Sequence, residues 1–246
     1  MDEPREPSSP WSLRDPILIY VAALVSSLVG LIAAHFVGFV DLVEIAEAGE
    51  TTDDLPRVIL VAAIFQYGAM YGGLKWLSGR KGTGNFQEDY HLHVSSTDWP
   101  YFLYGVGLLF VSGIILTGIF SWLGVEAPTQ EVVEAAESSD SFGELVVIVL
   151  VIAVLAPILE EMLFRGVLLD VLKSRMALNP AIWTTGIVFG LVHLTDPATF
   201  LLIPALAGLG VILGYVRIRS GGSLSRPILM HMGFNAVTAV ALAFGL

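Results

Sequence analysis

The chain has 246 residues, 55% of them hydrophobic and 14% charged, with a net charge of −11 and a mean hydropathy of +0.76. A soluble domain carries about 25% charged residues, so this composition excludes an ordinary soluble globule and points to an integral membrane protein. The absence of cysteine excludes disulfides and thiolate metal sites, and the few basic residues form no patch that would hold nucleic acid.

Residues 1–16, MDEPREPSSPWSLRDP, read as a polar, disordered tail. The apolar segment from Ile17 to Val40 is longer than the roughly 7–15 residue core of a signal peptide and reads as a retained transmembrane helix. With about 20 apolar residues needed per crossing, further spans are expected near 57–77, 100–123, 145–172, 180–194, 199–216 and 227–246. The expected fold is an all-α, polytopic transmembrane helix bundle of seven spans, or eight. It divides into the tail, N-terminal helices with an acidic outer loop over 17–142, and a C-terminal core over 143–246.

Lys and Arg fall in alternate loops. Arg5 and Arg14 precede span one, Lys75, Arg80 and Lys81 close span two, Lys173 and Arg175 follow span four, and Arg217, Arg219 and Arg226 lie between spans six and seven. The loops at 41–56, 124–144 and 195–198 have none. Because cytoplasmic loops collect positive charge, the N-terminus is expected in the cytoplasm and the C-terminus outside, in a prokaryotic cell membrane. The outer stretch TQEVVEAAE reads as a solvated loop, with a short interfacial helix as the alternative. No internal repeat of the transporter kind is visible.

Within span four, Glu160, Glu161 and Arg165 follow an uncharged run over 146–159. Each such group costs roughly 2.5–3.5 kcal/mol at a membrane centre. Span five carries Phe189 and His193, and span seven His231 and Asn235. Glu161 and Arg165, Phe189 and His193, and His231 and Asn235 are each four residues apart, so each pair shares one helix face. At about 1.5 Å of rise per residue, all three faces meet at or below mid-membrane on paths from the cytoplasmic side.

Each motif alone has a structural explanation: an ion-pair clamp, a packed histidine, an amide that glues two helices. Two carboxylates, two imidazoles and an amide at compatible depths exceed what packing requires. His35, His91 and His93 show no such coincidence and read as structural. A carboxylate beside an imidazole deprotonates water, and an amide with a second imidazole can hold the oxyanion formed at a carbonyl. Those are the parts of a hydrolase without a covalent intermediate. The same groups would also serve a proton relay.

Glu-Glu-x-x-x-Arg, Phe-x-x-x-His and His-x-x-x-Asn, in this order on three hydrophobic segments, resemble the CAAX-protease and bacteriocin-processing enzyme family (CPBP, also called Abi). The resemblance covers roughly residues 143–246, and the first three spans carry no matching motif. It implies an intramembrane protease acting on a peptide or protein substrate, lipid-modified or membrane-embedded, in contact with membrane lipid. Glu160 would activate water with help from His193, and His231 and Asn235 would stabilise the oxyanion. Glu161, Arg165 and Phe189 would support them. No cofactor is the reading taken. Zinc on Glu160, His193 and His231 is the alternative, three ligands with an open position. Gly166, Gly190 and Gly233 suit close helix approach or room for substrate backbone, and Pro157 is placed to kink span four and free a carbonyl. A non-catalytic scaffold or bacteriocin self-immunity protein, and a proton-coupled transporter, remain the alternative functions.

Overall fold

The computed structural model describes residues 9–44, 55–125, 142–194 and 198–244, which contain helices and turns and no strand. Helix α1 spans Arg14–Phe36, α2 Leu55–Lys81, the one-turn α3 Phe86–Asp89, and α4 Pro100–Leu123. A long rod, α5, joins Phe142–Leu150, a π turn Val151–Leu155, Ala156–Glu161, a second π turn Met162–Leu168, and Leu169–Lys173. Then come α6 Leu178–Leu191, a 3-10 turn Ala198–Leu202, α7 Ile203–Arg219 and α8 Ser225–Phe244.

Five of these are long and apolar enough to cross a membrane: α1, α2, α4, α5 and α7 with its 3-10 turn. The outer surface agrees, with Leu18, Val25 and Leu28 of α1 and Phe110, Ile114 and Trp122 of α4 facing outward. Apolar surface on this scale needs a hydrocarbon solvent, and the chain is an integral membrane protein. Seven spans were expected; α6, at 14 residues, rises only about 21 Å against a hydrocarbon core of about 30 Å, and α8 is not among the five.

The core forms around α5, whose residues 161–172 are all buried. A helix apolar around its whole circumference is stable only when neighbours cover it. Glycines bring those neighbours close. A Cβ on Gly186 would overlap Val211 of α7, and one on Gly233 of α8 would overlap the Phe102 carbonyl of α4. Backbone-to-backbone contact of this kind substitutes for the hydrophobic drive that lipid cannot supply.

Polar ends gather on one side of the bundle. Lys81 Nζ meets Asp15 at 2.7 Å, Arg226 Nε and Ser225 Oγ donate to Asp98 at 2.8 and 2.5 Å, and the Leu224 N–H donates to the His91 carbonyl at 3.0 Å. The starts of α1, α4 and α8 and the ends of α2 and α7 therefore share this side, which is where the sequence puts its alternating Lys and Arg. Burial alone would raise the Asp98 carboxyl, but the bonds from Arg226, Ser225 and the Ser95 N–H outweigh it and hold the group below its ordinary value of 3.8.

One expectation is corrected here. A disordered tail through residue 16 does not hold from Ser9 onward, because Trp11 is buried and stacks on Tyr90 at 5.9 Å, and α1 already starts at Arg14. Burying an indole ring outweighs the entropy of ordering the few residues that carry it. Residues 1–8 and the stretch TQEVVEAAE lie outside the described residues.

Candidate active site

The site forms where α5 departs from regular geometry. Pro157 has no N–H, and its ring would clash with the carbonyl four residues back. The π turn Val151–Leu155 relieves that clash, with the Ala156 N–H donating to Val151 rather than Ile152. The Ile152 carbonyl is then left without a helical donor: its α partner is taken, and its π partner would be Pro157. Asn235 of α8 fills the vacancy, its Nδ2 donating to Ile152 O at 3.0 Å. The second π turn, Met162–Leu168, follows directly after Glu161; π bulges often mark functional sites.

Glu160 and His193 form the open half of the site. Their side chains are 12% and 32% exposed. His193 lies just beyond α6, in the turn after Leu191, rather than on a continuing helix face as the expected span 180–194 had it. The shortness of α6 is the reason: its 14 residues end at Leu191, and the chain turns at Val192 and His193. His193 Nδ1 sits 2.6 Å from the Phe189 carbonyl. A carbonyl only accepts, so Nδ1 carries the hydrogen and Nε2 faces Glu160 Oε2 across 3.9 Å.

Glu161, Arg165 and His231 form the closed half. Arg165 Nη1 donates to Glu161 Oε1 at 2.6 Å, with both side chains fully buried. Arg165 Nη2 donates to the Gly210 carbonyl at 2.9 Å, a reach allowed by the glycine contact of α6 on α7. His231 Nδ1 is 3.1 Å from Glu161 Oε1 and donates to it, which leaves Nε2 facing Glu160 Oε2, again at 3.9 Å. Phe189, fully buried, ties the halves together. The Arg165 guanidinium lies 4.5 Å over its ring, and its ring contacts His193 and His231 with centroids 4.6 and 5.6 Å apart. Cation–π attraction of this kind is stronger when desolvated.

Six of the seven expected residues thus meet in one cluster: Glu160, Glu161, Arg165, Phe189, His193 and His231. Asn235, one turn beyond His231 on α8, gives an N–H to the Ile152 carbonyl. Two contributors have no sequence signal. Tyr67 of α2 donates its hydroxyl to Glu160 Oε1 at 2.9 Å, and Tyr20 of α1 donates to the Val192 carbonyl at 3.0 Å, one residue before His193. A tyrosine in an apolar span is common enough that neither stands out by composition. His35 Nδ1 lies 3.3 Å from the Val40 carbonyl, and the backbone carbonyls of His91 and His93 accept from the Leu224 N–H and the Ser223 hydroxyl.

The donor set suits zinc in kind, because each imidazole holds its other nitrogen on an oxygen, as metal-bound histidines do. Its spacing does not. Two ligands of one tetrahedral zinc lie roughly 3.3 Å apart, whereas both imidazoles stand 3.9 Å from Oε2. No group of three His, Asp or Glu spaced for a metal occurs among the described residues.

Residues 142–237 match the family model for type II CAAX prenyl endopeptidase, Rce1-like. A curated Escherichia coli protein, named an uncharacterized 24.3 kDa protein, is 31% identical over 137 residues, which cover 54% of this chain and 60% of that protein. The chain therefore spans less than two thirds of this relative. No solved structure matches it. The matched segment holds both carboxylates, both imidazoles, Arg165, Phe189 and Asn235, so over residues 142–237 the chain is similar to the Rce1-like type II CAAX prenyl endopeptidases.

Proposed function

We propose that the protein is an intramembrane endopeptidase of the CAAX type, hydrolysing a peptide bond with water activated by Glu160 and His193. The observation that carries this reading is the arrangement of two imidazole Nε2 atoms, each 3.9 Å from Glu160 Oε2. A water about 2.8 Å from each acceptor fits such a gap. It donates one hydrogen to Oε2 and the other to the His193 lone pair.

In the reaction, Glu160 takes the first proton as the water oxygen bonds to the substrate carbonyl carbon, and the carbonyl electron pair moves onto its oxygen. His231 and the second N–H of Asn235 hold that oxyanion. His231 gives its Nδ1 hydrogen to Glu161, so its Nε2 donates to the oxyanion only when that nitrogen also carries a hydrogen. The tetrahedral species collapses with cleavage of the C–N bond, and Glu160 passes its proton to the leaving nitrogen. The products are an amine and a carboxylic acid, whose proton, the second of the original water, passes to the His193 Nε2 lone pair to leave a carboxylate; no covalent enzyme intermediate forms. No step runs through a metal.

The matched family's name supports a substrate that is lipid-modified near its C-terminus, and the location of the site supports one that reaches it from within the membrane. We take the chain to cross seven times with its positive end in the cytoplasm of a prokaryotic cell, a reading supported by the collection of basic loops at one end.

The test uses full-length protein purified in detergent and a prenylated reporter peptide. Glu160→Gln and His193→Ala are expected to stay folded and lose cleavage. A Glu160→Gln variant that cleaves at the wild-type rate refutes the mechanism. Proton-driven uptake into proteoliposomes without cleavage would favour the transporter alternative, and neither activity the scaffold.

A further inference from the structure

Glu160 has two oxygens in different surroundings. Oε2 faces both imidazoles, while Oε1 accepts the Tyr67 hydroxyl at 2.9 Å. The torsion that exchanges the two oxygens is soft and nearly two-fold, so the carboxyl plane is not held by its own side chain. A directional bond to one oxygen fixes which oxygen faces the imidazoles. Tyr67 has reason to give that bond, since a phenol inside an apolar span must find an acceptor within the protein.

Tyr67 reaches Glu160 from outside the matched segment 142–237. The α1–α2 hairpin that carries it is tied together at one end and to the site at a deeper level. At the polar end Lys81 of α2 pairs with the buried Asp15 of α1 at 2.7 Å. Deeper in the bundle, Tyr20 of α1 donates to Val192 at 3.0 Å. Each member of the open half, Glu160 and the turn bearing His193, is thus bonded by a tyrosine from the α1–α2 hairpin.

We infer that Tyr67 is a positioning residue for Glu160, orienting its carboxylate so that Oε2 is the oxygen that takes the proton from water. This rests on the hydrolytic reading for its kinetic consequence, but not for its geometry. The α1–α2 hairpin is then part of the active site rather than a membrane anchor for the matched segment.

The experiment compares wild type, Glu160→Gln and Tyr67→Phe as purified full-length proteins. Tyr67→Phe keeps the ring and removes one oxygen. Expected is a loss of kcat of about tenfold to a hundredfold, the scale of a small misplacement of a reacting group, with KM and Tm close to wild type. A purely structural role would lower Tm and leave kcat of the folded fraction unchanged. That result, or wild-type kinetics, overturns the inference while leaving the hydrolytic reading intact. If wild type itself cleaves nothing, the hydrolytic reading fails and the bond is judged spectroscopically. The Glu160 carboxylate stretch, isolated as wild type minus Glu160→Gln with 13C-labelled glutamate, must shift in Tyr67→Phe; an unmoved band overturns the inference. Should Tyr67→Phe not fold, 3-fluorotyrosine at position 67 keeps the ring and alters the donor, and an unchanged kcat then overturns it.

Discussion

Removing the Arg165 guanidinium should cost more than any other single change near the site, and the reason can be tested by a cycle. Arg165→Met keeps an apolar stem of similar length but leaves Glu161 buried with its 2.6 Å partner gone. Breaking a fully buried ion pair from one side costs about 3–5 kcal/mol. The Gly210 carbonyl also loses its 2.9 Å donor, and a buried acceptor left unmet costs about 1–3 kcal/mol. Glu161→Gln alone leaves the guanidinium buried without a counter-charge, and again a cost of about 3–5 kcal/mol is expected. In the double variant no charge is stranded, and a Gln oxygen still accepts from His231. Its loss should therefore fall well below the sum of the singles, with a coupling of at least about 2 kcal/mol. Equilibrium unfolding in mixed micelles, with Tm as a check, reads all four corners. Additivity within about 0.5 kcal/mol would mean that the two charges do not compensate each other in the folded protein.

Three further outcomes are expected. Asn235→Leu should cost roughly 1 kcal/mol of stability, the scale of an interhelical bond in a membrane; adding Pro157→Ala, which returns a backbone N–H to the Ile152 carbonyl, should recover most of it, and no recovery would show that Ile152 was not the acceptor that mattered. Asp98 has its folded titration below 3.8, so the stability it contributes is present above that value and lost as pH falls through the lower, folded one. Asp98→Asn should accordingly lower Tm at neutral pH and flatten its decline on acidification, whereas parallel profiles would deny Asp98 that role. Cleavage should survive dialysis against a zinc chelator; activity lost on chelation and restored by zinc alone would return Glu160, His193 and His231 to the role of ligands.

The helices and the polar motifs were legible because each rests on local chemistry. Apolar length fixes a helix in lipid, and four-residue spacing fixes which side chains share a face. Glu161 with Arg165 could be paired from sequence for that reason, and Pro157 announced a disturbed carbonyl. The identity of that carbonyl's donor could not be read, since Asn235 reaches Ile152 only through the packing of α8 on α5. The turn holding His193 was hidden by hydropathy, which runs on past the helix end at Leu191 without a polar break. Tyr67 was hidden most thoroughly: the relevant fact is where its hydroxyl ends, and that depends on how α2 leans on α5.

The i,i+4 arrangement of Glu161 and Arg165 bears on how the protein is made. Their pair needs no other helix, so it can close as soon as α5 has coiled and enter the lipid as a neutral unit, before α6, α7 and α8 have been synthesised. Glu160 has no partner four residues away, but Tyr67 has by then already left the ribosome on α2. The order of segments along the chain thus lets both Glu160 and Glu161 meet a partner during insertion, while His193 and His231, the groups that would make Glu160 reactive, arrive last.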